Sequence, residues 1–139
     1  MNEINNLTTD TEKLIWLAGF FEGEGTIHIT KRGYLDIKIT SADREILSFI
    51  QSFAGGKIYE QKNGITIDGK EKKIFRLCFY GKSGCDFLKK ILPHLRHRKK
   101  QAELAINFYR HGRKNIKLYR SLINKWGDRR NENENKDDA

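Results

Sequence analysis

The stretch that most limits what this chain can become is residues 14–25, Leu-Ile-Trp-Leu-Ala-Gly-Phe-Phe-Glu-Gly-Glu-Gly. It opens as a helix, because Leu14, Leu17, Ala18 and Phe21 recur at helical spacing and make an apolar stripe. Thr9 and Glu12, three apart, predict a capping box at its start. The far end is unusual. It holds Gly19 and Gly23, both poor helix formers. It also holds two acids, Glu22 and Glu24, at a terminus where the helix dipole disfavours carboxylates. A bound divalent cation would reverse that sign, and the glycines leave room for a second backbone to come very close. An ordinary apolar helix with two solvated acids would fit the same residues.

The predicted first helix runs from about residue 10 to 22, after a loose polar arm at 1–8. Two alternating strands follow. Ile27 and Ile29 share one face of the first, and Leu35, Ile37 and Ile39 one face of the second, with a turn at Lys31-Arg32-Gly33. The other face carries Thr26, His28, Thr30, Arg32, Tyr34, Asp36, Lys38 and Thr40. Such mixed donors and acceptors suit base edges in a DNA groove; a plain wet sheet face would look the same. Ser41 is placed to cap a second helix with Ile46, Phe49, Ile50 and Phe53 inward, ended by Gly55-Gly56. A second hairpin is predicted from 57–61 and 74–80. Phe75, Leu77 and Phe79 face the core there, and Lys57, Tyr59, Gln61 and Arg76 point the other way. Ser83 and Asp86 suggest a capping box for a third helix, which Pro93 interrupts. Residues 96–101 form the densest basic run. Two more helices, about 101–110 and 115–126, close the chain before an acidic tail at 127–139 expected to be disordered.

Net charge is +9. The last twelve residues hold five acids against three bases, so residues 1–127 carry +11. A basic folded unit points to a polyanionic partner. At 139 residues the chain is one domain with room for a real core. No apolar run is long enough for a membrane helix, and the polar N-terminus shows no signal peptide. An intracellular protein with no membrane partner is expected. Cys78 and Cys85 lie in apolar sequence and read as core thiols in a reducing compartment, and no Cys/His spacing suggests zinc.

Leu17-Ala18-Gly19-Phe20-Phe21-Glu22-Gly23-Glu24-Gly25 resembles the LAGLIDADG motif of homing endonucleases position by position, with Glu at both acidic places. The resemblance extends over about residues 9–126, which we take as the endonuclease domain. It implies an α+β chain with the αββαββα fold, a four-stranded antiparallel sheet backed by helices, here with additional C-terminal helices. One motif copy implies a homodimer, with Leu17, Ala18, Gly19 and Phe20 at the interface. The implied activity is a metal-dependent double-strand break in DNA, leaving short 3′ overhangs in a long pseudo-palindromic target. The resemblance assigns Mg²⁺ to Glu24 with the Gly23 carbonyl, Mn²⁺ or Ca²⁺ substituting for binding, and a more structural role to Glu22. A family lysine beside the scissile phosphate falls here at Arg98, with Lys99 and Lys100 one and two places on. Those two lysines fit phosphate grip, which positions a duplex without reading it. Ser41 stays outside the catalytic set, since a helix cap explains it equally well. The alternative function is nucleic-acid binding without cleavage, as an RNA maturase or a DNA-binding regulator.

Overall fold

The computed structural model describes residues 7, 9–65, 69 and 71–127. The elements are α1 (Asp10–Glu24), β1 (Gly25–Ile29), β2 (Leu35–Ser41), α2 (Arg44–Ala54), β3 (Lys57–Ile65), β4 (Glu71–Tyr80), α3 (Lys82–Ile91), α4 (Lys99–Asn107) and α5 (Ile116–Gly127). A short 3₁₀ turn at Leu92–His94 carries Pro93. A π-turn at Phe108–Gly112 and a 3₁₀ turn at Arg113–Asn115 join α4 to α5. The strands form one antiparallel sheet in the order β1-β2-β4-β3. The expected arm at 1–8 and tail at 127–139 lie outside the described residues, except for Leu7 and for Gly127, which ends α5.

Register sorts the sheet into two faces. Ile27 pairs with Ile37, Ile37 with Phe79, and Ile39 with Leu77. Successive side chains alternate across a strand, so these residues share one face, and all of them are buried. The helices cover that face. Phe21 of α1 meets Phe87 of α3 edge-on at 5.5 Å, and Phe79 stacks on Phe87 at 4.2 Å.

α1 begins with the expected capping box between Thr9 and Glu12. It continues to Glu24, two residues past the expected end, through Gly23. Gly25 stops it: its N–H still bonds Phe21 O, and its backbone turns extended at ψ 154°. This glycine is needed for space. A Cβ there would lie 1.8 Å from the Phe21 ring.

Several local expectations are corrected. Asp43, not Ser41, caps α2, accepting from the N–H groups of Glu45 and Ile46. Ser41 Oγ instead accepts the Asp43 N–H at 3.0 Å and shapes the turn before the cap. Leu47 and Ile50 fill the core from α2, while Phe49 and Phe53 are half-buried; Phe49 packs on Trp16 of α1 at 5.5 Å. α3 starts after Gly81 with no side-chain cap, so Ser83 and Asp86 form no capping box. Cys85 is a core thiol whose pKa burial pushes up. Cys78 is buried but stands on the opposite, polar face, paired with Lys38 and Lys57. Both are free thiols.

Candidate nucleic-acid interface and acidic helix end

The two acids of α1 are treated very differently by the fold. Glu22 carboxylate oxygens accept the backbone N–H groups of Arg96, His97 (3.1 Å) and Arg98 (3.2 Å). Its own carbonyl accepts Arg98 Nε at 3.1 Å. The guanidinium also reaches Gln101 Oε1 at 3.1 Å through Nη1 and lies 6.0 Å from the Phe21 ring centre. Gln101, almost fully buried, passes the contact on by donating Nε2 to Ile123 O of α5. Glu22 therefore ties the motif helix to the basic loop before α4. Arg98 extends the tie to α5, with its pKa lowered by burial and raised again in part by Glu22.

Glu24, two residues on, is exposed and has no hydrogen bond or ion pair among the described residues. A carboxylate left free at a helix C-terminus is at the dipole's unfavourable end. Among the described residues no three or more His, Cys, Asp and Glu converge as a metal cluster. One chain offers a cation the Glu24 carboxylate and the Gly23 carbonyl. These are the hard oxygen donors Mg²⁺ takes, and Mg²⁺ is commonly held by one or two carboxylates with waters and substrate phosphates.

Among the described residues nothing covers the outer side of α1 at its glycines. Gly19 and Gly23 are exposed, and a Cβ on either would meet nothing within 4 Å. Ile15, one turn earlier, is 52% exposed. Trp16 and Phe20 stack at 5.3 Å and remain half-buried. A helix apolar on both sides expects a second packing partner. Leu17 and Ala18, expected at an interface, are instead fully buried in the chain's own core. They repeat with Phe21 on the inner stripe, which leaves Ile15, Gly19 and Gly23 exposed on the outer one.

The polar sheet face assembles residues from all four strands. Thr26 pairs with Lys38, His28 with Asp36, Thr40 with Arg76 and Tyr59 with Arg76, while Lys57 and Gln61 follow on the same side of β3. Arg76 lies 5.7 Å from the Tyr59 ring centre. Asp36 Oδ1 and Arg76 Nε are buried atoms with no hydrogen-bond partner among the described residues. An unmet acceptor and an unmet donor on a broad basic face are suited to an external polar ligand. Tyr80 closes this face, its phenol pushed up to about 12 by a hydrogen bond with Cys78, then by burial and nearby charges.

Thr30, Arg32 and Tyr34 sit apart, in the β1–β2 turn at the end of β1 remote from Glu24. Thr30 Oγ1 accepts the Tyr34 N–H there at 3.0 Å and braces the turn. Lys99 and Lys100 are exposed in the first turn of α4. The Glu22 contacts and Gln101 were not among the sequence candidates. Gln101 could have been found, because it shares a helical stripe with Ala105 and Phe108, where a polar residue must have a partner.

The hydrogen-bonded acid, the free acid and the glycine-lined outer helix face, set beneath an antiparallel sheet with a basic polar side, define a protein class. The chain belongs to the LAGLIDADG family, since the family model of a LAGLIDADG-like domain matches residues 11–92. Among solved structures it is similar to the homing endonuclease I-CvuI bound to the I-CreI target with 2 mM Mg, in which the DNA is not cleaved. Identity there is 22%, over 84% of this chain and 83% of that chain, with a TM-score of 0.67. It is similar also to I-CvuI bound to its own target with 2 mM Ca, at 25% identity, 83% and 80% coverage and a TM-score of 0.62. No curated protein matches it in sequence. Among the described residues no helix is long and apolar enough to cross a membrane.

Proposed function

We propose that this chain is a site-specific homing DNA endonuclease. Two copies meet through the outer face of α1 and make a metal-dependent double-strand break, with short 3′ overhangs, in a long pseudo-palindromic duplex. The observation that carries this reading is the contrast between the acids: Glu22 is consumed by three backbone N–H groups, whereas Glu24 is left free beside the open glycine face. Membership of the family and likeness to DNA-bound homing endonucleases support it.

Glu24 with the Gly23 carbonyl would hold Mg²⁺, and the second copy would add its own pair. When bound, such a cation activates water and offsets charge on the phosphate. The chain's own residues do the positioning. The sheet faces of the two copies lie along the major groove and read two half-sites, with Arg76, Asp36 and their neighbours meeting base edges. Lys99 and Lys100 grip phosphates and set the register. Arg98 spends Nε and one N–H of Nη1 inside the protein, and its remaining donors face the central phosphate.

The test uses a duplex carrying the DNA that flanks this gene with the insertion removed, incubated with protein and Mg²⁺. Wild type should give discrete double-strand breaks as a dimer. Glu24→Gln should bind that duplex and leave it intact. Cutting by Glu24→Gln at the wild-type rate, or a monomer on the cleaved duplex, would overturn the assignment.

A further inference from the structure

A hollow of about 350 Å³ opens at the end of the sheet away from Glu24. It is formed by the β1–β2 turn, the turn into α3 and the π-turn after α4. Five strand residues at about 3.4 Å each put it roughly 17 Å from the acidic helix end. Its size falls in the range of ligand pockets, roughly 300–1,000 Å³.

The composition of the wall is specific. Phe108, 1% exposed, supplies an apolar floor. Tyr34 and Tyr109 stand on the rim, 58% and 39% exposed. Lys82 and Arg113 add two exposed cations, and among the described residues no acid lines the hollow. Gly33 and Gly81, at φ 87° and 54°, turn the chain without a side chain and keep the wall low. Gly33 also lets the β1–β2 turn sit on α5, where a Cβ would come within 2.8 Å of Ile116. The π-turn holds Tyr109 at the rim next to buried Phe108; such irregular turns inside helices are frequent at functional sites.

We propose that this hollow is a second nucleic-acid site, taking one unpaired nucleotide of RNA or DNA, with its base on the Tyr109 and Tyr34 rings and its phosphate between Lys82 and Arg113. Exposed aromatic rings bind bases by stacking, and every base offers a face for it. Cations beside the rings hold the backbone, and Arg can add a cation–π contact. In a duplex each base face is already covered by its neighbours, so the rings select an unpaired nucleotide. The site does not depend on cleavage at Glu24.

Binding of fluorescein-labelled eight-nucleotide single strands, one RNA and one DNA, to the full chain is followed by anisotropy at low salt. Tyr109→Ala should weaken binding roughly 5- to 150-fold, the range that base stacking on one aromatic side chain supplies. Tyr109→Phe should restore it, and Arg113→Ala, a change at an exposed residue, should weaken it independently. Cleavage of the duplex target and the unfolding midpoint should stay at wild-type values in Tyr109→Ala. Tighter binding of RNA than DNA would add the 2′-hydroxyl to the contacts, while equal binding would leave base and phosphate alone. The proposal is overturned if no strand binds, if Tyr109→Ala and Arg113→Ala bind as wild type does, or if unlabelled duplex displaces the strand as well as the strand itself.

Discussion

Removing the Glu22 carboxylate should cost the fold far more than removing its neighbour two residues away. Three backbone N–H groups point at Glu22, and hydrogen bonds to a charged group contribute about 1.5–3 kcal/mol each. Simple addition overstates the loss, because this loop is partly open and water can replace some partners. We expect about 2–3 kcal/mol for Glu22→Ala, against a total stability of about 5–15 kcal/mol. Glu22→Gln keeps the shape but turns an NH₂ toward backbone donors, and should cost about 1–2 kcal/mol. Glu24→Gln should lie within about 0.5 kcal/mol of wild type, with any gain coming from lifting a charge off the negative helix end. Urea unfolding at one fixed protein concentration, followed by far-UV circular dichroism and by tryptophan fluorescence, measures all three. At a slope of about 2 kcal/mol per molar urea, Glu22→Ala should lower the midpoint by about 1–1.5 M with the slope unchanged. A Glu22→Ala midpoint within 0.25 M of wild type, or a larger fall for Glu24→Gln, would refute the division of labour between the acids.

Two further outcomes follow from the packing. Gly25→Ala should destabilise by about 1–3 kcal/mol or more, since the new methyl overlaps the buried Phe21 ring; thermal melts check this, and an unchanged melting temperature would mean α1 can slide. Of the five tyrosines, Tyr80 should ionise late, near 12 against its ordinary 10.0. The fold favours the neutral phenol, so that contribution is complete below about pH 10 and is lost as pH rises towards 12. Ultraviolet titration should show one lagging tyrosine, and Cys78→Ala should bring it forward; an unmoved curve would remove the thiol as the cause.

Most of the architecture was legible because period and pattern agree along this chain. Ile27, Ile37 and Ile39 alternate with polar residues and Leu77 and Phe79 keep the same two-residue spacing, so both sheet faces followed from spacing. What was hidden depended on which of two equivalent partners the folded chain chose. Ser41 and Asp43 are both good caps, and only the turn geometry gives the role to Asp43. Leu17 and Gly19 lie two residues apart in one motif, yet helical rotation sends one to the core and the other to the surface. The Glu22 contacts join positions over seventy apart in sequence, which no local pattern encodes. Cys78 looked like core because its neighbours Leu77 and Phe79 are core, although strand alternation places it on the other face.

The anchoring of Glu22 bears on how such a chain would decay. On the proposed function, a descendant released from cutting could exchange Glu24 for almost any residue and still fold, but loss of Glu22 would loosen the basic loop and the helices behind it. The two acids of one motif would therefore erode at unequal rates. A copy that retained the first and had lost the second would be an inactive protein with its scaffold intact, free to be recruited for holding nucleic acid.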